Sequence, residues 1–278
     1  MLIRPLGALL GLAALGLAGH ERQVAAFQLN RAYRRLTGNR SAVMLRGIAV
    51  SLGRNVLEAT ALVKKGAHLP DILFPDASRI TLERALTAGR GVVFVTGHLG
   101  NWELMAAWLA ERGYPIHTVV RSSYDDRFTR LIDAARQKRG IKTILRGAPG
   151  SAAAMLRALH SGAVLGFLID QDTDVPSVFV PFFGRRAKTP VGPAVLAARC
   201  GAPVVIGTMH RRLDGCHTIH IEPCDLDGDV ESDTAAFTAA LESRIRRHPS
   251  QWIWFHKRWR SNPAEVVRCT RTVSSSTR

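Results

Sequence analysis

Between Gly91 and Ile221 the chain alternates short apolar runs, rich in β-branched residues, with helical segments that stop at glycines. Gly91-Val92-Val93-Phe94-Val95-Thr96-Gly97 is too short and too continuously apolar for a surface helix, and it reads as a strand buried on both faces. A helix around 102–112 precedes a strand at 116–120, and a helix over 127–139 stops at Gly140 before the strand 141–145. A further helix, 151–161, ends at Gly162 ahead of Ala163–Ile169; residues 193–200 are helical and end at Gly201, before a strand over 203–209. Asp214-Gly215 then makes a hairpin turn into Thr218–Ile221. This alternation restricts the chain to an α/β fold: a mostly parallel sheet flanked by helices, with a late antiparallel hairpin.

The 278 residues suffice for a core that needs no covalent staples. Cys200, Cys216, Cys224 and Cys269 form no CxxC pair and no zinc-like spacing, so a disulfide framework is not expected and a reducing compartment fits. Upstream, residues 20–66 read as helix; Pro70 and Pro75 punctuate a loop, and helix resumes near Ser78 until Gly89. The N-terminus carries an apolar run from Leu6 to Ala18, shorter than the roughly 20 residues that span a bilayer. It can be a signal peptide, a shallow membrane anchor or a buried core helix. Arg22, Arg31, Arg34, Arg35 and Arg40 follow it and only Arg4 precedes it, which favours a body kept on the cytoplasmic side.

Lys and Arg number 38 against 22 Asp and Glu, a net charge of +16. Such a chain seeks polyanions: nucleic acid, anionic lipid or phosphorylated substrates. Several chemistries are absent. There is no G-x-S-x-G nucleophile elbow, no Walker or G-x-G-x-x-G loop, and His20-Glu21-Arg22-Gln23-Val24 breaks the zinc-protease H-E-x-x-H pattern. His217 and His220 lie three apart in a strand, on opposite faces, and are not expected to share a metal.

The most specific local feature is Gly97-His98-Leu99-Gly100-Asn101-Trp102-Glu103, where the buried strand ends and a helix begins. In open α/β sheets that edge is where ligands bind. A turn through Leu99-Gly100 would bring Glu103 to His98; a carboxylate on one imidazole nitrogen leaves the other free as a base. The same spacing also suits a core histidine beside a capping glutamate. Arg121, at the end of its strand, is the candidate for holding phosphate. Asp170-Gln171-Asp172, directly after an apolar strand, either orients hydroxyls or a water or is an ordinary strand exit. Val178–Gly184, with three phenylalanines, is core or the wall of an apolar groove. Trp252–Arg260 interleaves aromatics with cations, a pattern that suits a membrane interface or single-stranded nucleic acid.

GHLGNWE (97–103), the arginine of VVRSS (119–123), DQD (170–172), VFVPFFG (178–184), GPAVLAARCGAPVV (192–205) and WIWFHKRWR (252–260) follow one another as in the lipid A biosynthesis acyltransferases. These are the lauroyl and myristoyl transferases of the wider lysophospholipid acyltransferase superfamily, and the resemblance covers about residues 20–262. It implies a glycerolipid-acyltransferase-like fold with an N-terminal membrane-associated helix. The chain would then divide into an apolar anchor (1–19), an acyltransferase domain (20–262) and a disordered polar tail (263–278). The implied enzyme sits on the cytoplasmic face of the inner membrane. It moves a fatty acyl chain from acyl carrier protein or coenzyme A to a hydroxyl of an anionic glycolipid, a lipid A precursor or another lipid such as mannosylated phosphatidylinositol. His98 and Glu103 would be catalytic, and Gly100, Asn101, Arg121, Ser122, Asp170, Gln171 and Asp172 would bind substrate. No metal, no cofactor beyond the thioester and no nucleic acid partner are implied. The rival expectation is a basic nucleic-acid-binding protein.

Overall fold

A computed structural model describes residues 3–34, 36, 38–63, 69–121 and 126–261, so Ser122 and the expected polar tail lie outside the described residues. Three helices come first: α1 (Ile3–Leu17), α2 (Gly19–Ala32) and α3 (Gly38–Val63). The remaining elements are β1 (Ile72–Leu73), α4 (Asp76–Thr87), β2 (Val92–Thr96), α5 (Trp102–Glu111), β3 (Ile116–Val120), α6 (Asp126–Lys138), β4 (Lys142–Leu145), α7 (Ser151–His160) and β5 (Val164–Leu168). They continue with β6 (Ser177–Phe182), β7 (Arg185–Pro190), α8 (Gly192–Cys200), β8 (Val204–Arg211), β9 (His217–Cys224) and α9 (Val230–Arg247).

The strands form a seven-stranded sheet in the order β1-β9-β8-β2-β5-β3-β4, with β6 and β7 as a separate antiparallel pair. Strands β8, β2, β5, β3 and β4 run parallel; β9 runs antiparallel to β8, which is the expected late hairpin. β2 and β5 are buried along most of their length because both faces of the sheet are covered. One face packs Leu82, Leu104, Trp108 and Ile219 under α4 and α5. The other packs Leu159, Ala194, Phe237 and Leu241 under α7, α8 and α9. A third core joins α2 and α3 to Phe182, Phe183, Trp252, Trp254 and Trp259.

The parallel strands and their crossover helices match the alternation in the sequence, and three regions depart from it. The helix expected over 20–66 is two helices, with Tyr33 in an extended conformation closing α2. Val178–Gly184 belongs to the β6–β7 hairpin, whose Val180, Phe182 and Phe183 are core. The aromatic and cationic segment 252–260 is not an exposed surface: Trp252, Trp254 and Arg258 are at most 1% exposed. The tryptophans are therefore core and not an open stacking face, while Lys257 and Arg260 stay exposed and Ile253 and Phe255 half-buried.

α1 is 15 residues, about 22 Å at 1.5 Å per residue, against a hydrocarbon thickness of about 30 Å. No described helix is long and apolar enough to cross a membrane. α1 instead lies along α3, backbone against backbone, because a Cβ on Gly11 would stand 2.0 Å from the Ala49 oxygen and one on Gly53 would stand 2.1 Å from the Gly7 oxygen.

Candidate active site

β2 and β5 are neighbours in register, Thr96 opposite Leu168, so the residues two beyond each pair share one sheet edge. Those residues are His98 and Asp170. The Asp170 carboxylate accepts three N–H groups: His98 Nδ1 at 2.7 Å, the His98 backbone N–H at 2.6 Å and Trp252 Nε1 at 2.7 Å. Gly97 allows this approach, since a Cβ there would lie 2.8 Å from Asp170 Oδ2. Burial alone would raise the Asp170 pKa. The facing His98 imidazole and its hydrogen bond, then His256 and the Trp252 N–H, outweigh it and hold the acid well below the usual carboxylate range. An ionised Asp170 accepting from Nδ1–H fixes the tautomer that leaves His98 Nε2 as an acceptor.

His98 keeps an open edge: its side chain is 18% exposed while that of Asp170 is 1% exposed. Its Nε2 lies 3.2 Å from Gln171 Nε2, and the same amide nitrogen is 3.4 Å from His256 Nδ1. With Nε2 as acceptor, the Gln171 amide donates to it. Burial pushes the His256 pKa down to about 4, so it faces His98 as a neutral ring. Trp102 closes one side, its ring 4.8 Å from that of His98. The segment after Pro249–Gln251 is stitched to the His98 loop by Gly100 N–H to the Gln251 oxygen (3.0 Å) and Ile253 N–H to the His98 oxygen (3.2 Å).

The expected His98–Glu103 pair is therefore corrected. Glu103, in the first turn of α5, accepts a two-pronged bond from Arg136 of α6 (3.0 and 2.5 Å). A helix starting at Trp102 directs residue 103 towards α6, whereas the neighbouring strand delivers Asp170 straight to the imidazole. Glu103, Arg136 and Trp102 line an apolar cavity of about 50 Å³ between the sheet and α5, floored by Thr118, Gly166 and Leu168.

The other expected substrate contacts divide. Gln171 stands at the base. Arg121 is exposed at the end of β3, where it and Arg136 line a shallow pocket of about 120 Å³; burial, then the Arg121 charge, lower the pKa of Arg146. Gly100, Asn101 and Asp172 have structural work instead of open faces. Gly100 has φ +62° and its carbonyl accepts from Asn55 Nδ2 at 2.6 Å. Asn101 is 3% exposed, caps α5 through Leu104 N–H (3.2 Å) and donates to Glu58 (3.2 Å). Asp172 accepts from Ser261 N–H (2.7 Å) and Oγ (3.0 Å), which ties down the end of the described chain.

Sequence reasoning did not single out the knot beneath this loop. Glu58 of α3 accepts from Arg211 and from Asn101 and lies 3.1 Å from His217 Nε2, which Arg211 also meets at 2.9 Å, while Arg211 reaches Asn55 Oδ1 (2.9 Å). Burial would raise the Glu58 pKa; hydrogen bonds from His217 and Arg211 bring it down to about 2. Isolated polar letters in an apolar helix were its signal. Nor did His256 and Trp252 stand out as site residues inside an aromatic run.

Residues 79–261 match the family model described as bacterial lipid A biosynthesis acyltransferase. The chain is 30% identical to a phosphatidylinositol mannoside acyltransferase of Mycobacterium tuberculosis over 194 residues, 67% of this chain and 60% of the relative. It is 34% identical to the lipid A biosynthesis lauroyltransferase of Escherichia coli over 119 residues, 40% of this chain and 39% of the relative. A palmitoleoyltransferase of lipid A biosynthesis from Escherichia coli is 28% identical over 66% of this chain and 60% of its own length. The matched region thus spans about 60% of the first of these relatives. With the family model covering well over half of its residues, the chain belongs to the bacterial lipid A biosynthesis acyltransferase family.

Proposed function

We propose that the protein transfers a fatty acyl chain from an acyl thioester directly to a hydroxyl of an anionic glycolipid. The observation that carries this reading is His98, held by the buried Asp170 carboxylate on Nδ1, with a partly exposed ring whose Nε2 meets the Gln171 amide. Nε2 removes the proton of the acceptor hydroxyl as its oxygen attacks the thioester carbonyl. Collapse of the tetrahedral intermediate breaks the C–S bond, and the imidazolium returns its proton to the departing thiolate. Thioester and alcohol become ester and thiol, so the balance closes with no resident cofactor, metal or covalent enzyme intermediate. Asp170 stabilises the imidazolium, and the Gln171 amide, already at Nε2, moves aside for the hydroxyl or donates to the developing oxyanion.

The donor is acyl carrier protein or coenzyme A carrying the chain. The narrow cavity beneath Trp102 and Glu103 is the candidate entrance for that chain; at about 50 Å³ it holds a few methylene groups, so it must widen, with Arg136 withdrawing, as the rest enters. Arg121, with Arg136 and Arg146 nearby on the carboxyl edge, takes a phosphate of donor or acceptor. Membrane-surface attachment on the cytoplasmic face of the inner membrane is supported by the +16 charge and by Leu6, Leu9, Leu10 and Leu17 on α1, each half exposed or more. Nucleic acid is not a proposed partner: of the two features that motivated it, the charge suits an anionic lipid equally, and the tryptophans of 252–260 are buried.

A lipid A precursor is the acceptor we favour, from the matched family; the mycobacterial relatives favour a phosphatidylinositol mannoside as the second reading. The test is mass spectrometry of both lipids after incubation with the protein and either lauroyl-acyl carrier protein or palmitoyl-coenzyme A. An acceptor heavier by one acyl group supports the proposal and selects donor and acceptor together. Unmodified lipids with every donor overturn it.

A further inference from the structure

A second apolar space lies on the other side of His98. It is an open groove of about 450 Å³ between α1, α3 and the 252–256 segment, walled by Leu10, Ala14, Leu52, Val56, Ile253 and Phe255. Its size falls in the range of about 300–1,000 Å³ that holds small organic ligands. The groove exists because the glycine contacts bring α1 onto α3 near Gly11 and Gly53, while Ala14 and Ala49 fill less space than the leucines beside them.

Two features say what covers it. The first is continuity with the site. Ile253 donates its backbone N–H to the His98 oxygen, and Phe255 precedes His256, whose ring lies 5.7 Å from that of His98. The groove therefore ends one residue from side chains that face the base. The second is its openness. Leu10 is 50% and Val56 56% exposed on its walls, and Leu6, Leu9 and Leu12 continue the exposed apolar surface along α1. Among the wall residues only Glu21 is ionisable. A chain already anchored in a bilayer has to enter sideways through such an open slot.

We infer that the groove between α1, α3 and residues 252–256 binds a hydrocarbon chain already present on the acceptor lipid, and so sets the acceptor's hydroxyl at His98. The inference rests on the acyl-transfer reading for its orientation. The groove makes this a site selective for acylated acceptors and gives α1 a substrate-binding role beyond attachment.

Two measurements test it. Val56→Trp and Ala14→Phe fill the groove from exposed positions and touch none of the residues at His98. With acceptors bearing full-length chains, KM should rise about tenfold, the change of about 1.4 kcal/mol expected for a lost chain contact. KM for the donor, and for acceptors of the same headgroup carrying four-carbon chains, should stay as in the wild type. Equal effects on long- and short-chain acceptors, or a change confined to donor KM, overturn the inference. Independently, a lipid A precursor and a phosphatidylinositol mannoside, each with a diazirine in one chain, are photolysed with the wild-type protein, and the labelled peptides are sequenced. Label from either lipid in 10–18 or 49–56 supports the groove. Label confined to 102–109 and 164–168, or absent from both regions, contradicts it. This second arm needs no turnover, so a protein that transfers no acyl group but is labelled in the groove would fail the acyl-transfer reading and keep the chain site.

Discussion

Two histidine–carboxylate pairs lie on either side of the Gly100 loop. His217 is fully buried; its Nε2 meets Glu58, and Arg211 and Asn55 complete the cluster. His98 has an equally buried carboxylate in Asp170 but keeps an exposed edge. Pairing is thus shared by a structural knot and by a candidate base. What separates them is whether the second nitrogen has anywhere to send a proton. Glu58 shares its charge with a neighbouring guanidinium, so that cluster is an internal ion pair. Asp170 faces imidazole and indole N–H groups, and its hydrogen bond to Nδ1 fixes the His98 tautomer with Nε2 as the acceptor.

The largest expected effect breaks the open pair. His98→Ala should lower acyl transfer by about 10²–10⁴-fold, the usual contribution of a general base; because the buried Asp170 loses one of its three donors, a lower thermal midpoint is expected too, and turnover is read per folded molecule. Turnover comparable to the wild type by a folded variant would refute the assigned base. The knot should answer the other way. Glu58→Gln leaves Arg211 buried without its counter-charge, and a denaturant midpoint should report a loss of about 3–5 kcal/mol. Turnover per folded molecule should change far less.

Acid sharpens the contrast. The Glu58 acid is held at about 2 in the folded state, below the ordinary carboxylate value, so its stabilisation is complete above about pH 4.5 and is lost as pH falls towards 2. His256 and His210 are held near 4, below their ordinary 6.5, because burial favours the neutral rings; His210 also stacks on His248 at 3.9 Å. The unfolded chain binds those protons first, so stability should begin to fall below about pH 6.5 and continue to about 4. Denaturant midpoints across pH 3–8 check this, and a flat profile above pH 4.5 would contradict the histidine contribution. The smallest effect concerns Arg121. Arg121→Lys retains the charge and loses the fork, so KM for a phosphorylated substrate should rise about fivefold, the worth of one hydrogen bond. An unchanged KM would make Arg121 a surface charge.

Much of this was legible in sequence because the crossover pattern dictates it. β-branched runs closed by glycine gave the strands, and the strand ends gave the edge on which His98, Arg121 and Asp170–Asp172 sit. Sequence spacing could not choose the partner of His98. Glu103 is five residues away and Asp170 is 72, and only the order of strands, with β5 inserted between β2 and β3, brings the distant carboxylate next door. The internal partners of Gly100, Asn101 and Asp172 were hidden for a related reason: polar residues beside a site can face inward, and only burial reveals a cap or a clamp. The tryptophans of 252–260 look like a surface when written in a line. Their burial follows from β6, β7, α2 and α3 closing over them, contacts that no local pattern encodes. Helix α9 was not anticipated, although Asp229, whose side chain caps it through Ser232 N–H at 2.8 Å, was a readable start signal.

The central claim is that Asp170, and not the nearer-in-sequence Glu103, arms His98. It is tested most directly by measuring acyl transfer by Asp170→Asn and Glu103→Gln side by side, with folding of each confirmed by circular dichroism. Asp170→Asn turns the Nδ1 partner neutral and weakens the base, so its turnover should fall by at least about a hundredfold. Glu103→Gln loosens only the Arg136 pair and should retain much more activity. A Glu103→Gln protein that loses turnover while Asp170→Asn keeps it would contradict the account.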